Sequence, residues 1–495
     1  MSFPPRLNGI FASRTAAGAL FLLATALFLI RLAAPSDLRD NDQERPAAYA
    51  MDILRNGRWV VQSDHNGEVM SKPPLSTWLT AVPALPFGRL NLFLLYLPSF
   101  LAVVATVLLM HRAGERRLGP EAGFLAAVLF LCSMVALKEV ALSRADPVFS
   151  VLVFGSALVA FRAWNGECSW TPFWLLAAAG TLTKGPLGVP LALGGLLAFL
   201  GERPRRNPLR GNHLPGLLIF LVLTLGWFGL ACLAEGHRVA EKMIFRELVG
   251  HAVKDSPDGF EFAQLAKPTL YFFSRFAPWS LLASAGIVFA LRRARSGSDP
   301  TEMRFRRFLA AQVLFGLGLF SLSPHQRPDH LMPLVPSAAL LAGHTAACFV
   351  GGWPPARLRA ALAALVLFFL ASVAIWGFFI RAKAAPVRET AALRDIATGI
   401  RQDYGPRFAP EFVEAPYAFQ FFLGTMKTEL RPDIAAGLLA SKQKSGDPFF
   451  IITEDPEAIG KHLPSGGSLH RLRQWRLPGG SLWLVSNHEA LPRSP

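Results

Sequence analysis

Charge is what this sequence has least of. Of its 495 residues only 17% are Asp, Glu, Lys or Arg, against about 25% in an average soluble domain. With a mean hydropathy of +0.35, that shortage excludes an ordinary soluble enzyme. Cysteine is scarce as well. Cys132, Cys168, Cys232 and Cys348 all lie in or beside apolar runs without CxxC-type spacing, so neither disulfides nor a cysteine metal site is expected. No internal repeat of fixed period is visible, which argues against the simplest repeat-built transporter. The C-terminal region carries no nucleotide-binding fingerprint.

What the sequence has is long apolar runs, such as those over 15–30, 91–110 and 214–234. Each is close to the roughly 20 residues that a bilayer requires. The net charge of +16 would suggest nucleic acid in a soluble protein, but here the excess arginine sits in short loops between the runs. Arg112, Arg116 and Arg117 follow one run, Arg203, Arg205, Arg206 and Arg210 another, and Arg292, Arg293, Arg295, Arg304, Arg306 and Arg307 a third. The positive-inside rule places these loops in the cytoplasm. Spans are then expected near 15–34, 91–110, 122–138, 147–163, 172–183, 187–201, 214–234, 276–291, 308–322, 331–350 and 360–380. With mergers, or a re-entrant piece over 75–87, the total is about 11 to 13. The first run, preceded by Arg6 and Arg14, also fits a secretory signal peptide ending near Ala33 and Ala34. Its cleavage would leave the downstream topology unchanged.

The alternation predicts a cytoplasmic N-terminus and a common extracytoplasmic side for 35–90, 139–146, 184–186, 235–275, 323–330 and 381–495. Long loops rich in aromatic residues are usually functional. Beyond 380 the composition changes. A helix over 388–402, strands over 411–415, 449–452 and 481–485, and a helix start at Asp455-Pro456 predict a small soluble α/β domain over 381–495. The fold class is therefore all-α polytopic membrane protein, residues 1–380, carrying a small C-terminal α/β domain on the outer side.

Polar residues in the outer segments are the candidates for chemistry. Asp37, Asp40, Asp42 and Glu44 follow the first span, and Lys72 precedes a stiff Pro73-Pro74 turn. A carboxylate here can act as a general base towards a hydroxyl, and a fixed ammonium can hold a phosphate. A solvated acidic loop and a Pro-Pro helix start are the plainer readings. Arg144-Ala145-Asp146-Pro147 puts an ionisable pair where a span begins, which equally fits an N-cap. Lys184, within Thr183-Lys184-Gly185-Pro186, is costly at membrane depth unless paired, wet or snorkelling. The long loop holds Glu247 and His251 one helical turn apart. The loop Ser323 to His330 is dense in polar side chains for a mere connector.

These motifs carry a resemblance. Asp42-Gln43-Glu44-Arg45, Asn56-Gly57-Arg58-Trp59, Asn66-Gly67, Lys72-Pro73-Pro74-Leu75 and Trp78 occur in the order of the first outer loop of the aminoarabinose and protein-mannosyl transferase superfamily. Arg144-Ala145-Asp146, Lys184-Gly185-Pro186, Pro278-Trp279 and Arg327 to Pro333 are similar to its later landmarks, so the resemblance covers about residues 15–380. It implies a C-type membrane glycosyltransferase that inverts the anomeric centre and takes sugar from a polyprenyl-phosphate carrier on the outer face. Residue by residue, it puts Asp42 at the catalytic aspartate, Arg45 at its companion arginine, Lys72 at the phosphate-contacting lysine, Asp146 at the second carboxylate and Glu247 at an acidic position of the long loop. The sequence departs from the pattern at Gln43, Ser71, His251, Gln326 and His330, and these departures bear on the donor more than on the reaction class.

The expected roles follow. Asp42 is the base, with Asp146 orienting the acceptor or Asp42. Lys72, Arg45, Lys184, Arg327 and His251 hold the donor phosphate, and Glu44, Glu247 and His330 are further site candidates. The expected partners are membrane lipids, the polyprenyl-phosphate-linked sugar and a glycolipid, glycan or protein acceptor, with no nucleic acid. The expected location is a bacterial inner membrane. A divalent metal is compatible, but no ligand set compels it. The alternatives are a lipid-linked sugar transporter or flippase, a catalytically degenerate paralogue, and a scaffold that displays the C-terminal domain.

Overall fold

The computed structural model describes residues 14–39, 41–202, 207–249, 262–292, 300–405 and 408–489. Helix occupies most of each stretch expected to span. Among the described residues, six helices are long and apolar enough to cross a membrane: Arg14–Ala33, Leu92–Arg117, Asp146–Trp164, Leu214–Glu235, Pro328–Val350 and Pro355–Lys383. A bent pair, Gln264–Arg275 with Trp279–Leu291, turns through 117° and raises the number to seven when counted as one span. The other expected spans are shorter or more charged, as in Pro120–Leu131, Thr171–Lys184, Gly188–Gly201 and Pro300–Ser321. The chain is a polytopic membrane protein with a small C-terminal sheet.

The described chain forms two compact units. The first comprises residues 1–31, 71–76 and 96–374. Its helices pack through small residues, as expected where lipid removes the hydrophobic drive for association. Val335–Val350 lies against Pro120–Leu131 and Trp279–Leu291. A Cβ at Gly343 would sit 2.4 Å from the Ala126 nitrogen and 2.6 Å from the Ala122 carbonyl oxygen, so only glycine allows this approach. Helix Leu214–Glu235 leaves Leu218, Val222, Leu225 and Leu233 exposed, a face suited to acyl chains.

The expected span over 122–138 is not one helix. It breaks at Cys132-Ser133 into Pro120–Leu131 and Met134–Glu139. The Ser133 hydroxyl accepts from the Ala136 amide at 3.3 Å as the N-cap of the second piece. The Trp279 indole N–H donates to the Cys132 carbonyl at 2.8 Å, which satisfies an oxygen the break releases. The break brings Lys138 and Glu139 to the group of charges described below.

The second unit comprises residues 32–70, 77–95 and 375–495, so the first long loop folds together with the C-terminal domain. Four strands, β1 (Glu411–Val413), β2 (Phe450–Thr453), β3 (His470–Leu477) and β4 (Gly480–Ser486), lie in the order β1-β2-β4-β3. β1 runs parallel to β2, and the other pairings are antiparallel. Because side chains alternate along a strand, Val413, Ile451 and Val485 share one face. There they form a core with Ala435, Ala436 and Leu439 of helix Pro432–Ser445. Phe412, Ile452 and Leu484 are fully buried on the opposite face. The expected helix over 388–402 is Ala385–Tyr404. Asp455 caps Pro456–Gly460 by accepting from the Glu457 and Ala458 amides. Strand β3 and helices Tyr417–Leu423 and Pro432–Ser445 fall where the sequence pattern predicts no element.

Candidate functional site

In the first unit, five charged side chains form an alternating chain contributed by four segments. Asp146, in the first turn of Asp146–Trp164 and 2% exposed, is engaged by the Lys184 ammonium and by Arg144 Nε at 2.9 Å. Arg144 also donates to Asp329 Oδ2 at 2.7 Å, and Lys138 Nζ reaches Asp329 Oδ1 at 2.5 Å. The N-cap of that helix is Ala145, with no side-chain capping bond, so the Asp146 carboxylate serves the two cations rather than the helix end. Lys184 ends Thr171–Lys184 and lies 5.7 Å from the Phe149 ring centroid. Its cost at membrane depth is thus offset by a carboxylate and an aromatic face. Lys72 is exposed, and its charge is felt at both Asp146 and His330.

Two further groups border this chain. Glu139 is 2% exposed, and burial pushes its carboxyl well above the usual carboxylate range, with Asp146 and Asp329 adding repulsion. His330 lies 5.7 Å between ring centroids from His325 and 5.7 Å from Phe320, within the field of Lys184 and Asp146. Arg327 is exposed at the start of the turn Pro328–Leu334. Lys138 and Asp329 were not among the residues singled out from sequence. The signal was present in part, as a Lys-Glu pair closing an apolar run and an Asp inside the Arg327 to Pro333 motif.

In the second unit, Asp42 and Glu44 occupy the first turn of Asn41–Asn56, where a helix favours acidic groups. Asp42 is exposed. Glu44 is 5% exposed and accepts from the Ala418 amide at 3.2 Å, so its carboxylate joins the first loop to helix Tyr417–Leu423. Arg45 Nε lies 3.5 Å from the buried Asp64 Oδ2.

The Asn-Gly motifs build this loop. Asp64 Oδ1 accepts from the amides of Asn66 and Glu68, each at 3.0 Å, and Gly67 takes φ +72° to close the turn, a conformation costly for any residue with a side chain. Gln62 Nε2 donates to the carbonyls of Arg58 and Trp59 at 2.9 and 2.8 Å, and the Trp78 indole donates to Trp59 O at 2.8 Å. These motifs therefore scaffold the loop. His65 is 1% exposed, its ring lies tilted 4.5 Å from that of Tyr417 between centroids, and burial holds its imidazole down at about 3. Burial also raises the Asp64 carboxyl and, to about 7, that of Glu429.

Lys72, Lys184, Asp146 and His330 thus come together in the first unit, and Asp42, Glu44 and Arg45 in the second. His251 and the Glu247 side chain lie outside the described residues. Among the described residues, no group of three or more His, Cys, Asp or Glu is placed to hold a metal ion.

The chain is similar, in sequence and in fold, to the C-type membrane glycosyltransferases. Residues 71–228, which hold Lys72, Lys138, Arg144, Asp146 and Lys184, match the sequence family described as dolichyl-phosphate-mannose-protein mannosyltransferase. The undecaprenyl phosphate-alpha-4-amino-4-deoxy-L-arabinose arabinosyl transferase 1 of Pseudomonas fluorescens is 26% identical over 66% of this chain and 59% of its own length. The transferase of the same name from Pseudomonas aeruginosa is 27% identical over 67% of this chain and 60% of its own. The chain therefore spans about three fifths of the length of these relatives. ArnT from Cupriavidus metallidurans bound to undecaprenyl phosphate superposes with a TM-score of 0.69 over 97% of this chain and 100% of its own, at 19% identity. Its apo form gives 0.68 over 96% and 98%, at 17% identity.

Proposed function

We propose that this protein is a membrane glycosyltransferase that moves a sugar from a polyprenyl-phosphate carrier, of the undecaprenyl type named for its relatives, to a lipid A-like glycolipid or another envelope glycan or protein. The observation that carries this reading is the charge chain around Asp146. Four cations, Lys72, Lys138, Arg144 and Lys184, accompany two carboxylates, Asp146 and Asp329, and leave two positive charges in excess. That excess suits a phosphate leaving group, and the surrounding apolar helices suit its polyprenyl tail.

In the proposed reaction the acceptor hydroxyl attacks the anomeric carbon as the bond from that carbon to the phosphate oxygen breaks. The configuration inverts and the electron pair leaves with the polyprenyl phosphate. Asp42 takes the hydroxyl proton, and Arg45 is its companion through the Asp64 side of the loop. Lys72 and Lys184 hold the phosphate, with Arg327 and His251 as further phosphate contacts. Residues 1–380 form the transmembrane part and 381–495 an α/β domain, with the reacting loops on the outer face of a bacterial inner membrane. The conversion of a lipid-linked sugar already outside needs no nucleotide sugar there.

The test is sugar transfer by wild type and by Asp42→Asn in membranes, from a panel of undecaprenyl-phosphate sugars to a total envelope-lipid extract. Transfer by wild type that falls at least about 100-fold in Asp42→Asn is expected for loss of a general base. Equal activity in the two proteins would remove Asp42 from that role, and transfer from none of the donors would refute the enzyme reading.

A further inference from the structure

The charge chain has more members than phosphate binding alone requires. Asp329 contacts two of the four cations, Lys138 at 2.5 Å and Arg144 at 2.7 Å, and Arg144 is shared with Asp146 at 2.9 Å. Asp329 is half-buried, its side chain 13% exposed, and Arg144 only 10% exposed. The Asp329–Arg144 pair is largely withdrawn from solvent, where each unit charge acts strongly on its neighbours, while the Lys138 side chain is 40% exposed. Glu139 stands beside them, and His325 and His330 border the same turn.

The two ends of the proposed reaction differ in charge. A sugar-linked polyprenyl phosphate is a phosphodiester with one negative charge. The departing polyprenyl phosphate is a monoester carrying about −1.5 to −2 near neutral pH, since its second pKa is about 6. A site rich in cations holds the product more firmly than the donor. That helps the bond to break and hinders the product from leaving. An anionic side chain that occupies two of the cations lowers both effects.

We propose that Asp329 is a positioning residue that limits the grip of the site on the released polyprenyl phosphate, by holding Lys138 and Arg144 to itself. This rests on the glycosyltransferase reading and names a regulation of the same site. Neutralising Asp329 adds one net positive charge and frees two donors. The product then binds more tightly and leaves more slowly. A residue that only supported the fold would do the reverse, because its loss would loosen the site.

The experiment measures binding of undecaprenyl phosphate to the full chain in lipid nanodiscs, with steady-state transfer in parallel, for wild type, Asp329→Asn, Asp329→Glu and Lys138→Gln/Asp329→Asn. Asp329→Asn is expected to bind undecaprenyl phosphate about tenfold tighter, with kcat and KM falling together. Asp329→Glu should behave as wild type, and the double variant, its charge count restored, should return towards the wild-type Kd. Equal or weaker binding by folded Asp329→Asn overturns the inference, as does a double variant that stays as tight as the single one. Should Asp329→Asn fail to fold, Lys138→Gln alone decides. It leaves Asp329 acting on Arg144 without its second partner and should weaken binding severalfold, and an unchanged Kd overturns the inference. Wild type that binds no undecaprenyl phosphate overturns the glycosyltransferase reading as well, whereas binding by wild type without the Asp329 effect sinks this inference alone.

Discussion

Glu429 offers a pH-dependent prediction about the segment that carries Asp64 and His65. Its carboxylate accepts from the Ala415 amide at 3.1 Å, and its own amide donates to the His65 carbonyl at 2.7 Å. It therefore fastens the first loop to the C-terminal domain within the same unit. Burial raises its carboxyl to about 7; the Ala415 amide opposes this, and Glu414, Glu454 and Asp64 add to it. The fold favours the protonated acid, so its contribution is complete below about pH 4.5 and is lost as the pH rises through about 7. A shift from 4.5 to about 7 corresponds to about 3 kcal/mol at 1.36 kcal/mol per unit. Allowing for incomplete burial leaves about 2 kcal/mol. Burial raises the Asp64 and Glu454 carboxyls too, with the same sign.

The assay is hydrogen exchange read by mass spectrometry in nanodiscs, corrected for intrinsic rates, at pH 5.5 and pH 8. Peptides over 60–70 and 411–430 should lose about 30-fold in protection at the higher pH, the equivalent of about 2 kcal/mol of local opening. Glu429→Gln keeps an acceptor for the Ala415 amide and removes the charge, so most of the pH dependence should disappear, leaving only the share of Asp64 and Glu454. A wild type with pH-independent protection, or a Glu429→Gln variant that retains the wild-type slope, would refute the reasoning.

Other outcomes follow from single contacts. Gly343→Val forces a side chain into the Ala122 and Ala126 backbone and should cost about 3 kcal/mol or more. An unchanged melting temperature in detergent would show that the two helices do not meet there. Glu44→Ala removes the acceptor for the Ala418 amide and should raise exchange at that amide by about 5- to 30-fold, about 1 to 2 kcal/mol. Glu44→Gln should preserve most of the protection, and equal exchange in all three proteins would deny the contact.

The transmembrane helices were legible because hydropathy over about 20 residues is a strong, local signal. The interruption at Cys132-Ser133 was not, because its stability comes from Trp279, a residue 147 positions away. In the C-terminal domain, β1, β2, β4 and the Asp455 cap carry local patterns. β3 alternates poorly, with exposed Arg471, Arg473, Gln474 and Arg476 and a register shift between Arg471 and Arg473, which hides the period-two signature. For the site, Asp146 and Lys184 stood out as charges at apolar boundaries. That Asp329 joins Lys138 to Arg144 depends on segments 191 and 185 residues apart, and no local spacing records such a pairing. Asp64 and His65 were visible only as two polar residues before an Asn-Gly turn, where nothing in the sequence says that they are buried.

The contact between Glu44 and the Ala418 amide joins residues separated by 374 positions. At a synthesis rate of about 5 to 20 residues per second, about 20 to 75 s pass between the appearance of one partner and the other. For that interval the loop bearing Asp42 and Arg45 exists without the surface it finally rests on. The order of translation thus makes one of the earliest loops of the chain one of the last to be completed.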